Sequence, residues 1–136
     1  MSLYRIFDVA GSGMSAQTVR LNTTASNMAN AESVSNSVNQ TYRARHPVFA
    51  AFLDKAKDAV AAEVQVRGIV ESPGPVRMEY RPDHPQANPK GYIFLPNVNP
   101  VEELADMISA SRTYQDNVEV LNTSKELMSR TLELGR

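Results

Sequence analysis

NVNPVEELADMISASRTYQDNVEVLNTSKELMSRTLEL, residues 97–134, is the stretch whose reading decides the fold. It opens with a helix start signal. Asn99 offers a side-chain oxygen to free backbone amides, Pro100 suits the first helical position, and Glu102 falls where a capping box wants a carboxylate. Glu102, Glu103 and Asp106 lie at the positive end of the helix dipole, and Lys125, Arg130 and Arg136 lie toward its negative end. Positions then recur every seven residues. Leu104, Ser111, Val118, Lys125 and Leu132 form one column and Met107, Tyr114, Leu121 and Met128 another, the spacing of a coiled coil. Val120, Leu127 and Leu134 make a stripe beside them. One partner helix does not cover a helix that is apolar over more than one face.

The same period runs through the start of the chain. Phe7, Met14, Leu21 and Met28 form a large apolar column, and Leu3, Ala10, Gln17, Thr24 and Ala31 a smaller one. Gly11 and Gly13 lie inside this helix, where each costs about 1 kcal/mol against alanine. An isolated helix of this composition is marginal in water and needs a partner. At about 1.5 Å per residue the first helix spans roughly 43 Å and the last roughly 52 Å. The region between them is too small to cover both, so the excess apolar surface implies contacts with other subunits.

Residues 40–97 differ in character and hold seven of the eight prolines. Tyr42–Leu53, around Pro47, and Val64, Val66, Ile69 and Val70, interrupted by Gly68, read as strands. Val76–Tyr80 alternates with Val76, Met78 and Tyr80 on one face, and Tyr92–Leu95 is a last short strand. Ser72–Pro75 and Arg81–Gly91 carry turn chemistry. Residues 54–62 read equally as a helical turn or a loop. The expected fold is therefore α+β, with long N- and C-terminal helices paired as a coiled coil and a small β-rich middle domain. Its parts are residues 1–33, 34–97 and 98–136.

Composition bounds the function. The chain has 136 residues, a formal net charge of −1 and no cysteine, so it offers no basic field for nucleic acid and no thiolate metal site. No apolar run is long enough for membrane insertion, and Met1–Asp8 does not read as a signal peptide. The two histidines, His46 and His84, each precede a proline, and Asp83-His84 has no third ligand at helical or hairpin spacing. Gly11-Ser12-Gly13 follows no strand and lacks the lysine of a phosphate loop. No catalytic, cofactor-binding or metal residue is assigned, and an enzyme is not expected. Asn22, Asn27, Asn30, Asn117 and Asn122 fit either a solvated helix face or polar groups that fix the register of packed helices.

Two segments carry a family resemblance. Gly11–Gln17, Arg20–Asn22 and Ala25–Ser33 resemble the amino-terminal signature of flagellar axial proteins, the rod and hook subunits. In the tail, Asn97–Asn99, Met107–Gln115 and Asn117–Thr123, with Lys125, Met128, Leu132 and Gly135, resemble the proximal rod subunits of the basal body. Tyr42–Ala44 and Lys90–Tyr92 match as well, whereas Asp116 stands where the family usually has alanine. The resemblance implies a structural subunit that stacks helically with copies of itself and sibling rod subunits into a drive shaft across the periplasm. It also implies passage through the flagellar type III export apparatus without a cleaved signal peptide, which suits termini that order on assembly. The subunit interface is then expected on Phe7, Met14, Leu21, Met28, Met107, Tyr114, Leu121 and Met128. Gly13 would allow close backbone approach, and Asn27, Asn30 and Asn117 would set register. The alternative is a soluble helical adaptor or export chaperone with a small β module.

Overall fold

A computed structural model describes residues 3–53 and 62–135. Helix α1 (Leu3–Asn30) and helix α2 (Pro100–Leu134) bracket four strands: β1 (Arg45–Leu53), β2 (Ala62–Glu71), β3 (Arg77–Tyr80) and β4 (Tyr92–Leu95). The α2 start follows the sequence signal. The Asn99 side chain accepts from the Val101 N–H, Pro100 opens the helix, and Glu102 and Glu103 occupy the first turn. The helix ends at Leu134 as expected, but Lys125 and Arg130 precede its last turn, which holds no basic residue. Arg136 and the stretch 54–61 lie outside the described residues.

The two helices run antiparallel. Gly13 lies against Asn117, Arg20 bonds Asp106 and Asn27 bonds Glu103, so positions rise on α1 as they fall on α2. The seam between them keeps the seven-residue period, in a shifted frame. On α1 it runs through Gly13, Arg20 and Asn27, and on α2 through Glu103, Ala110, Asn117 and Ser124. The α1 column sits one residue before the expected Phe7–Met28 column, and the α2 column four residues before the expected Met107–Met128 column. Small and polar side chains let the backbones approach, while the larger apolar neighbours flank the contact.

Strands β1 and β2 form a long antiparallel hairpin with a register shift between Val48 and Phe49, beside Gly68. The hairpin lies along α1. Arg45 exchanges two backbone bonds with the Asn27 side chain, and the Val64 N–H donates to Ser12 Oγ at 3.0 Å. An isolated two-stranded hairpin is marginal in water, so this seat is what holds it. α1 is thus the middle layer, with α2 on one side and the hairpin on another.

Strands β3 and β4 form a separate two-stranded antiparallel sheet. The turn between them is built on Asn88, whose Oδ1 accepts from the Lys90 and Tyr92 amides. Gly91 takes a φ of 79°, and a Cβ there would meet the Tyr80 ring at 2.8 Å, so both conformation and space call for glycine. β4 also bridges through Phe94 to Ser35, and its Ile93 is completely buried. The face expected on Val76, Met78 and Tyr80 leaves Met78 and Tyr80 exposed in the single chain. Ala31, Ala44 and Val98, with Tyr42 against them, make the small core where the helices meet the β region.

Candidate assembly interface

A buried polar site lies at the base of the helix pair. Asn27 is fully buried and its carboxamide is fully used. Nδ2 donates to Glu103 Oε1 (2.9 Å) and to the Arg45 carbonyl (2.8 Å). Oδ1 accepts from the Arg45 N–H (2.9 Å) and the Tyr42 hydroxyl (2.8 Å). The Arg45 guanidinium lies over the Tyr42 ring. Burial pushes the Glu103 carboxyl above the usual glutamate range; Asn27 and His46 pull it back, and Asp106 and Glu102 add to the rise.

The other two register candidates behave differently. Asn30 Nδ2 returns to the Ser26 carbonyl of its own helix, and Asn30 lines a polar recess of about 600 Å³ with Thr41, Arg43 and Glu71. Asn117 Nδ2 bonds the Thr113 carbonyl and fills the space left by Gly13, where a Cβ would meet its amide at 3.2 Å. Within the chain Gly13 therefore admits a side chain rather than a backbone. A Cβ on Gly11 would meet nothing within 4 Å. Gln17 Oε1 is buried without a hydrogen-bond partner.

Phe7, Met14, Leu21 and Met28 are half-buried, as are Met107, Leu121 and Met128, while Tyr114 is exposed. The larger apolar excess is elsewhere on α2. Of its 35 residues only Glu103, Ala110 and Ser124 are buried. Val101, Leu104, Ile108, Val120, Leu127, Leu132 and Leu134 are all exposed. Residues from 128 onward also run past the α1 residues described, because Gly13 already stands opposite Asn117. Apolar surface left uncovered to this extent marks an interaction site.

Among the described residues no cluster of three or more histidine, aspartate and glutamate side chains is placed to hold a metal ion. His46 sits in β1, and His84 Nδ1 accepts from the Gln86 N–H within the 81–91 turn. No described helix is long and apolar enough to cross a membrane.

Two long end helices, mostly uncovered, around a small β region define a class of subunit that buries its remaining surface in an assembly. The sequence comparisons give that class its identity. The family described as flagella basal body rod protein matches residues 7–36, and the family described as flagellar basal body rod FlgEFG protein C-terminal matches residues 90–134. The flagellar basal-body rod protein FlgC of Yersinia enterocolitica is 49% identical over 136 residues, covering 100% of both chains. FlgC of Escherichia coli O157:H7 is 48% identical over the same span, and that of Aquifex aeolicus 41% over 133 residues, 98% of this chain and 97% of that one. The chain belongs to the FlgC family of flagellar basal-body rod proteins.

Proposed function

We propose that this chain is a structural subunit of the flagellar basal-body rod, packing side by side with copies of itself and with other rod subunits to carry torque across the periplasm. The observation that carries this is the imbalance on α2, which buries three residues and leaves eight large hydrophobic ones exposed. Such a helix is complete only when neighbours cover it. Residues 1–33 and 98–136 then form the helical core of the assembly, and 34–97 the module packed outside it. The half-buried column of Phe7, Met14, Leu21 and Met28, with Met107, Tyr114, Leu121 and Met128, borders the intrachain seam and is suited to subunit contact. Gly13, Asn30 and Asn117 lie on or beside the same surface, and Asn27 fixes the shape it presents.

Function here resides in the contacts, and no catalytic role is assigned. A rod position requires the chain to leave the cytoplasm, and export through the flagellar type III apparatus without a cleaved signal peptide is the proposed route. Complementation of a strain lacking the endogenous subunit tests the proposal. Restored swimming, with the chain in purified basal bodies, is expected. A chain that stays cytoplasmic as a discrete folded oligomer would instead support the adaptor alternative.

A further inference from the structure

We infer that Asn27 couples two parts of the fold, the pairing of α2 with α1 and the seating of the β1–β2 hairpin on α1, so that neither is secured without the other. A primary amide offers two N–H donors and an oxygen with two acceptor sites. In Asn27 all four are engaged, one by Glu103 of α2 and three by Tyr42 and Arg45 at the base of the hairpin. The carboxamide is planar and the side chain is enclosed. Turning it to follow a shift of Arg45 therefore swings its second N–H away from Glu103. A displacement of α2 acts in reverse, because it withdraws the acceptor that holds the amide plane against Arg45.

The penalties of separation lie on both sides. Glu103 is 6% exposed, so a lost Asn27 donor leaves a carboxyl without solvent to replace it. The Arg45 N–H and carbonyl would lose their partners together. Beyond Arg45 the hairpin runs along α1 as far as Ser12, so a change at its base is carried along its length. β3–β4 makes none of these bonds and stays outside the link.

Hydrogen exchange on the full-length chain tests this, read separately for α2 residues 103–110, for β1 and for β4. Glu103→Ala touches Asn27 only from α2. It should lower protection about tenfold in α2 and also several-fold in β1, leaving β4 as in the wild type. Tyr42→Phe removes one hydroxyl on the hairpin side and should lower α2 protection by about threefold. Glu103→Gln keeps an oxygen for Asn27 and should restore most of the protection that alanine removes. Glu119→Ala, exposed farther along α2, should change neither region. Wild-type protection of β1 in Glu103→Ala would overturn the inference. Equal loss in β4 would do so too, since global unfolding would then explain the result. Free exchange of both α2 and β1 in the wild-type chain would likewise contradict it, because the network would hold neither element.

Discussion

The two long helices carry the same seven-residue period and end in different environments. α1 lies between α2 and the β1–β2 hairpin, and it buries Ala10, Ala16, Thr23, Thr24 and Asn27 along its length. α2 is longer, touches α1 along one face, and buries three side chains. Periodicity alone does not distinguish a helix satisfied within its own chain from one awaiting neighbours. The neighbours do. α1 is packed on two sides by elements of this chain, whereas α2 is packed on one and leaves most of its surface open.

If α1 is held by specific contacts within the chain, changes at Asn27 should have the largest effect on stability. Asn27→Asp replaces two donors by a carboxylate facing Glu103 and the Arg45 carbonyl. A buried charge without a counter-charge, set against two acceptors, costs on the order of 3–5 kcal/mol, a large share of a small domain's stability. Urea unfolding near neutral pH should register that loss. Adding Glu103→Gln should recover part of it, because a glutamine amide donates to the new carboxylate. Equal stability of the two variants would mean that the Asn27–Glu103 contact does not hold the pair.

Gly13→Leu strikes the seam opposite Asn117. Its side chain would enter the space of the Asn117 amide, and overpacking of this kind costs about 1–3 kcal/mol, partly offset by roughly 1 kcal/mol of helix propensity. The isolated chain should melt only slightly lower, but its altered α2 position should abolish swimming. A swimming strain would show that α2's placement on α1 is not critical to the rod.

A smaller effect should appear as a pH dependence. The Glu103 carboxyl is raised by burial, so the folded chain holds its proton more tightly than the unfolded one does. This contribution to stability is full below the ordinary glutamate range and is lost as pH rises through the elevated value. Thermal melts from acid to neutral pH should therefore fall less steeply for Glu103→Gln than for the wild type. Identical slopes would place Glu103 in water. The smallest effect is expected at Gly11, where an added Cβ meets no atom of this chain. Gly11→Ala should stabilise the isolated chain by up to about 1 kcal/mol and yet shrink the swimming ring if a neighbour's backbone packs there. An unchanged ring would leave that face of α1 in solvent.

Much of this architecture was legible in the sequence, where local chemistry decides conformation. Asn99-Pro100 with Glu102 located the start of α2, and Tyr92–Leu95 gave β4 its limits. Pro47 and Gly68 did not prevent β1 and β2 from pairing, because the hairpin accommodates them with a register shift. The small column of α1, with Ala10, Thr24 and Ala31, is buried as its period suggested, but the column that faces α2 beside it was not legible. Periodicity favours large apolar residues, yet Gly13, Ala110 and Asn117 make the contact because they are small or can bond their own backbone. The burial of Glu103 was hidden for a similar reason. A carboxylate in a first helical turn reads as a dipole partner at the surface, and only the position of Asn27 across the seam brings it inside. Asn27 itself was recognisable as a register candidate, but its bonds to Tyr42 and Arg45 depend on a chain path that spacing does not reveal.

The claim that α2's outer face belongs to the assembly is tested most directly by Leu127→Asp. Leu127 is 52% exposed in the single chain and lies beyond the polar network. The purified variant should melt within about 0.5 kcal/mol of wild-type stability, as surface substitutions usually do. Expressed as the sole copy of this subunit, it should give cells that export the chain but build no complete rod and do not swim. Normal swimming with intact basal bodies would contradict the account, because the exposed apolar face of α2 would then not be an interface.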